Sequence, residues 1–398
     1  MAFDLLAVGL VFLIFGIGSG LYALISLADG ISFFRRISAS LKVDGAFQPK
    51  AVVLIPVRGL ETTLAETLSA LLHQQYNAYR LIFITDPDDE ADRYFRDLHF
   101  EEPVTVVRSK PLDGCSGKIA ALLSGLEHIH QDDEVIVFAD SDIMPGPGWL
   151  ARLVAPLRDP DIAASTGYRW YFPTIGGLGP ALQSAWNSAA GNVMFSRRWA
   201  YLWGGSYAIR REVLEDLKIE ENWRRSLSDD MVMTQALKEA GYSIAFAPRA
   251  TVANYTDSSF SEVIRWTNRQ TCLALLYAPA MGRLALPYGI YVASLFLALL
   301  ATGLLLLSPA FLLPALLLLS PLYLGLLKNL LRRWAFKRAM PSFRREFSRF
   351  RGWFYLATIL LPFLMIYNVR KARRMGEFLW RGKVYRFSSP EHITVRRG

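Results

Sequence analysis

AVVLIPVRGLETTLAETLSALLHQQYNAYRLIFITDPDDEAD, residues Ala51 to Asp92, decides the fold. Ala51–Val57 and Arg80–Thr85 are unbroken runs of mostly apolar, β-rich residues. Between them, Glu61–His73 carries its apolar residues near the 3.6-residue period of a helix. The pattern recurs downstream, with strands VTVVR from Val104 and EVIVFA from Glu134, and helical stretches at Ala91–Leu98 and Lys118–His130. This β-α-β alternation over residues 50–250 predicts an α/β fold whose mostly parallel sheet is covered by helices on both faces. Ligands of such sheets bind beyond the carboxyl ends of the strands, and acidic residues stand at two of those ends.

Arg80–Thr85 is followed by Asp86-Pro87-Asp88-Asp89, and Glu134–Ala139 by Asp140-Ser141-Asp142. Converging carboxylates repel one another and need a cation. Mg²⁺ or Mn²⁺ suits one or two carboxylates completed by phosphate oxygens. Helix capping competes as a reading, most strongly at Asp88 and Asp89. A third pair, Ser228-Asp229-Asp230, opens the helical stretch Met231–Ala240. One of its carboxylates caps the helix and the other is free to act as a general base, a role worth roughly 10²- to 10⁴-fold in rate. Arg265 and Arg269, four apart on one helical face, suit a diphosphate. The same stretch runs into Leu273, Leu275, Leu276 and Tyr277, so an interfacial helix with lipid-facing arginines also fits. Trp170, Tyr171, Trp186, Trp199, Tyr201 and Trp203 suit either an acceptor site or core packing.

Three weaker motifs are set aside. Gly114-Cys115-Ser116-Gly117-Lys118 has Ile119 where a phosphate loop needs Ser or Thr. The five histidines show no metal-ligand spacing, and Cys115 and Cys272 form neither a disulfide framework nor a zinc site. Two cysteines fit a reducing compartment.

Composition places this body beside a membrane. Of 398 residues 52% are hydrophobic and 20% charged, and the mean hydropathy is +0.23, too apolar for an ordinary soluble enzyme. Leu5–Ala28 is 24 uncharged residues, enough to span, with Asp4 in place of a basic leader, so it reads as a retained anchor (1–34). Its GIGSG, Gly16–Gly20, reads as small-residue helix packing. Leu284–Leu327 is 44 uncharged residues broken near Ser308, Pro309 and Pro314, a helical hairpin (284–327). Between anchor and hairpin lie a catalytic domain (50–260) and an interfacial helix (261–283). Lys328 onward, a basic juxtamembrane region (328–398), holds 18 basic and 3 acidic residues, net +15; the +9 total then leaves −6 for residues 1–327. Basic residues mixed with Trp, Phe and Leu fit an anionic bilayer surface rather than nucleic acid. Within that region Gly352–Val369 is apolar but flanked by arginines on both sides, which favours a re-entrant or interfacial segment over a further crossing. Arg35, Arg36, Lys42, Arg283 and Lys328 put residues 35–283 and 328 onward in the cytosol by the positive-inside rule. The expectation is a multi-pass membrane protein, of the inner membrane if bacterial.

Five segments in order carry a resemblance: Ile55–Asp92, Gly117–Leu126 (GKIAALLSGL), Phe138–Asp142 (FADSD), Ser228–Met233 (SDDMVM) and Val263–Gln270 (VIRWTNRQ). The chain resembles the membrane-bound family 2 glycosyltransferases of GT-A fold, and most resembles ceramide glucosyltransferase and its bacterial relatives. The resemblance covers about residues 50–283. It implies that Asp86 faces the nucleotide, with Lys118 near the same pocket. It makes Asp140 and Asp142 the metal-binding DxD element and Asp230 the acceptor-activating base. Arg265 and Trp266 match the RW of a (Q/R)xxRW signature, whose first position here is Glu262; processive polymer synthases usually have Gln there.

The function these residues imply is inverting, metal-dependent transfer of a hexose from a UDP-sugar to the hydroxyl of a membrane lipid. Arg265 and Arg269 would neutralise charge on the departing phosphate. Ceramide, diacylglycerol or a hopanoid all fit as acceptor. A polyprenyl-phosphate glycosyltransferase, a processive polysaccharide synthase and, from a different class, an inactive membrane scaffold are the alternatives.

Overall fold

The computed structural model describes residues 2–42, 46–87, 89–98, 100 and 103–397; Asp88, one of the acidic residues singled out above, lies outside them. Strands β1 (Ala51–Val57), β2 (Tyr79–Thr85) and β4 (Val135–Ala139) are almost wholly buried. A strand covered on both faces has no polar side to alternate with, which is why these sequences are continuous apolar runs. Together with β3 (Val104–Arg108) they run parallel, joined through α2 (Leu64–Leu72), α3 (Glu90–Asp97) and α4 (Gly117–Leu126).

Beyond them follow α5 (Trp149–Val154), β5 (Ile162–Thr166), β6 (Arg169–Pro173), α6 (Leu178–Ala190), β7 (Ser206–Arg210), α7 (Arg211–Leu217), α8 (Ile219–Trp223), α9 (Asp229–Glu239), β8 (Ser243–Phe246) and β9 (Val252–Thr256). The seven-stranded order is β3-β2-β1-β4-β7-β5-β8, with β7 alone antiparallel to its neighbours. β6 and β9 form a separate parallel pair. The mostly parallel α/β sheet expected of a GT-A fold is what the chain adopts.

Among the described residues, four segments are long and apolar enough to cross a membrane: Leu5–Ser40, Pro279–Leu304, Pro309–Ala339 and Arg351–Ala372. The first lies within α1 (Ala2–Ser40), and α10 (Phe260–Tyr277) leads to the second through α11 (Ala285–Leu304). The chain turns between the two arms near Ser308 and Pro309. The second arm, α12 (Leu312–Leu318) and α13 (Ser320–Ala339), runs past Lys328, where the apolar stretch ends. The charges along that extension have partners. Lys328 Nζ lies 3.1 Å from Asp29, Arg332 donates to Asn329 Oδ1 at 2.9 Å, and Arg333 sits 4.8 Å over the Phe354 ring. α1 packs against α12 at its small residues: a Cβ on Gly16 would lie 3.0 Å from Leu317 Cβ.

Gly352–Val369, expected as a re-entrant or interfacial segment rather than a further crossing, lies within one helix, α14 (Arg351–Ala372), which continues unbroken through Pro362. Packing holds it: Asn368 is fully buried and bonded to Trp186 Nε1 of α6 and to Asn268 of α10. Residues 377–397 form an antiparallel sheet of β10 (Glu377–Trp380), β11 (Lys383–Ser389) and β12 (His392–Arg397). Both flanks of α14 rest on the catalytic domain, Phe347 against Phe172 at 4.9 Å before it and Arg381 paired with Glu61 after it.

Candidate active site

The first two acidic motifs follow parallel strands whose carboxyl ends lie on one side of the sheet, and the third opens a helix that faces the same cavity. Asp86 closes β2, where its carboxylate accepts Ser109 Oγ at 2.8 Å and lies 3.7 Å from the Arg58 guanidinium. Asp140 and Asp142 follow β4. Asp229 and Asp230 begin α9, favourably placed at the positive end of a helix. Asp86, Asp140, Asp142, Asp229 and Asp230 all line one cavity of about 1030 Å³.

Lys118, on the first turn of α4, is the hub. Its ammonium is 2.8 Å from Asp140, 3.3 Å from Asp229 and donates to the Gly204 carbonyl at 2.9 Å. Burial lowers the Lys118 pKa, but Asp140, Asp229 and Asp230 outweigh it and keep the amine charged. Asp140 is likewise raised by burial and then held below the ordinary carboxylate range by Lys118, with help from Arg169. Asp142 has no such ammonium beside it, and burial plus repulsion from Asp140 pushes its carboxyl up. Asp229, 4% exposed, is pushed up to about 7 by burial, with Asp230 and Asp140 partly offset by Lys118. Its Oδ2 has no hydrogen-bond partner among the described residues.

Asp230 is held rigidly. It accepts from the Gly204 and Met231 backbone N–H groups at 2.8 Å each and from Ser228 Oγ. Two glycines, Gly204 and Gly205, make this crowding possible. A Cβ on Gly204 would meet Lys118 Nζ at 2.9 Å, and one on Gly205 would meet Asp140 Oδ2 at 2.6 Å. The paired glycine in Trp203-Gly204-Gly205-Ser206 is the sequence signal of this close approach.

The capping reading holds for Asp89, whose side chain accepts from Ala91 N at 3.0 Å and Gly59 N at 2.7 Å. The RW helix divides. Trp266 and Arg269 line the cavity, and burial lowers the Arg269 pKa to about 10, with Arg169 and Arg381 adding repulsion. Arg265 does not reach it; the residue is exposed, nearer the start of α10. Glu262, the departure in the signature, completes a capping box with Ser259 and sits in solvent. Of the aromatic stretch, Tyr171, Trp186, Tyr201 and Trp203 line the cavity, whereas Trp170 packs in the core among Phe336, Phe347 and Phe354. Arg169, not singled out in the sequence, lies 5.0 Å over Tyr171 and 5.0 Å over Trp203.

The pair of hard carboxylates fits a divalent cation, since ionised Asp140 and Asp142 repel unless a positive charge joins them. Among the described residues no three His, Cys, Asp or Glu side chains are grouped to hold a metal ion. Donor oxygens and water would complete the coordination.

The chain is similar at low identity to many solved structures, among them the following. The mannosyltransferase PcManGT from Pyrobaculum calidifontis, in complex with GDP-Man and Mn²⁺, is 16% identical, with 90% of this chain and 99% of that chain covered and a TM-score of 0.45. GalNAc-T7 with UDP, GalNAc and Mn²⁺ is 15% identical over 58% of this chain and 51% of that chain, at 0.40. Glucosyl-3-phosphoglycerate synthase from Mycobacterium tuberculosis, with Mn²⁺, UDP-glucose and phosphoglyceric acid, is 17% identical over 61% and 83%, at 0.39. No curated protein matches the chain. The model of the glycosyltransferase like family 2 matches residues 49–272, more than half of the chain and the whole span from β1 to the RW helix, so this protein belongs to the family 2 glycosyltransferases.

Proposed function

We propose that the chain transfers a hexose from a UDP-sugar to the hydroxyl of a membrane lipid, ceramide-like or another glycolipid acceptor, at the cytosolic face and with inversion. One observation carries this reading. The cavity that holds Asp86, Asp140 and Asp230 is also lined by Tyr22 of α1, Tyr288 of α11 and Leu322 of α13. A pocket shared by the acidic cluster and the apolar helices lets a lipid hydroxyl reach the sugar while its tails stay in the bilayer.

In this reading Asp86 faces the nucleotide and Arg269 the diphosphate. Asp140 and Asp142 would hold Mg²⁺ or Mn²⁺, which when bound supplies Lewis-acid neutralisation of the leaving diphosphate. Asp230 takes the acceptor proton as the hydroxyl attacks opposite the leaving group, giving inversion in one displacement. Lys118 steadies Asp140 and Asp229 between turnovers. Trp266, packed against Tyr171 and Trp186, shapes the acceptor side. Exposed Arg265 has no part in this mechanism.

Mass spectrometry of lipids from cells with and without the protein is expected to show one hexosylated lipid class that depends on it. Unchanged lipids would remove the proposal. The cytosolic placement has its own check. Cys115 and Cys272 are buried, so a Gly376→Cys thiol after α14 is expected to label only from the cytosolic side, and labelling from outside would reverse the topology. Arg332 also lines the cavity, which favours a lipid phosphate as the second reading for the acceptor.

A further inference from the structure

β10 and β11 are joined by a two-residue turn, Arg381-Gly382, across which Trp380 pairs with Lys383. Both turn residues have positive φ, 50° and 69°. Such turns favour Asn-Gly or Gly-Gly because a Cβ crowds the backbone there. An arginine at that place is retained against local preference, and its side chain has a destination. It lies at the cavity rim with 40% of its side chain exposed, its guanidinium 2.6 Å from Glu61 and donating to the Arg58 carbonyl at 3.1 Å.

The hairpin is seated firmly. Tyr385, 1% exposed, and Phe378 pack with Leu227 next to the third acidic motif, and Trp380 stands 5.4 Å from the Arg269 guanidinium. At the start of α4, a Cβ on Gly117 would lie 3.5 Å from Lys383 Nζ and 3.6 Å from Arg58 Nη1. Arg58 after β1, Lys118 of α4, Arg269 of α10, and Arg381 and Lys383 of the hairpin thus come from four segments to the region around one helix N-terminus and one cavity. Guanidinium forks and ammonium point charges around helix N–H groups are what recognises a diphosphate.

We propose that the Trp380–Lys383 turn of the C-terminal hairpin is part of the donor site, with Arg381 and Lys383 binding the nucleotide diphosphate and Glu61 holding Arg381 in position. This rests on the reading of the cavity as a nucleotide-sugar site. The turn covers what residues 49–272 alone leave open on that side, so the donor pocket is completed by residues more than a hundred positions beyond the family's matched span.

Arg381→Gly tests it, because glycine suits the turn's positive φ. In full-length protein in detergent with Mn²⁺, UDP binding measured by calorimetry is expected to weaken roughly tenfold to a hundredfold, as for loss of a charge-assisted contact. UMP binding should change less than about threefold, since only the diphosphate lies within reach. The melting temperature should not fall. Lys383→Ala, which leaves the turn intact, is expected to weaken UDP binding about tenfold with the same indifference to UMP. UDP affinity unchanged in both folded variants overturns the inference alone. A parent protein that binds neither UDP nor GDP overturns it together with the reading of the cavity.

Discussion

Asp230→Asn is expected to abolish transfer, lowering kcat by roughly 10²- to 10⁴-fold, the usual contribution of a positioned general base. UDP-sugar affinity should stay within about threefold, because the change keeps shape and removes a group that acts on the acceptor. The pocket is built to hold a carboxylate here. Gly204 N–H, Met231 N–H and Ser228 Oγ all point at Asp230. Asparagine keeps one acceptor oxygen and faces a backbone donor with its amide, so a stability loss of about 1 kcal/mol accompanies the kinetic effect. Measuring binding and turnover on the same purified variant separates the two. Full turnover would take Asp230 out of the base role and favour a phosphate acceptor, which needs no strong base.

Asp142→Ala should act in opposite directions on function and stability. Nucleotide binding in the presence of Mn²⁺ is expected to fall by on the order of 100-fold and to become insensitive to chelator, since one of two cation-holding carboxylates is gone. Thermal stability of the metal-free protein should rise at pH 7 to 8. Asp142 has a folded pKa raised by burial and by Asp140. Such a group contributes stability that is present below its unfolded pKa and lost as pH rises through the folded one, so at neutral pH its ionised form is a cost. The gain should therefore shrink as pH falls through that window. Nucleotide binding that responds to chelator as the parent does would remove Asp142 from the metal site.

Particular residues show how far local pattern reached. Asp86, Asp140 and Asp230 were legible because strand and helix ends are local features, and a parallel sheet delivers its strands' carboxyl ends to one side. Arg265 was misplaced for an equally plain reason. Sharing a helical face with Arg269 fixes its direction around the axis, but four residues shift it about 6 Å along the axis, toward the exposed start of α10. Glu262 departs from the (Q/R)xxRW signature and serves as a helix cap. Lys118 was assigned to the nucleotide pocket, and its binding to Asp140 and Asp229 appears only once α4, β4 and α9 are packed together.

Periodicity and composition by themselves determined the alternating α/β body, the order of its acidic motifs, the apolar spans and the helical hairpin, because each depends on residues within one or two turns or strands of one another. Tertiary structure alone decided the close approach at Gly204 and Gly205, the exclusion of Arg265, the burial of α14 against the catalytic domain and the seating of the C-terminal hairpin at the pocket rim. Arg381 and Glu61 are 320 positions apart, and no local period records which distant surface a strand pair will meet; that choice is made by shape, charge and burial when the elements pack.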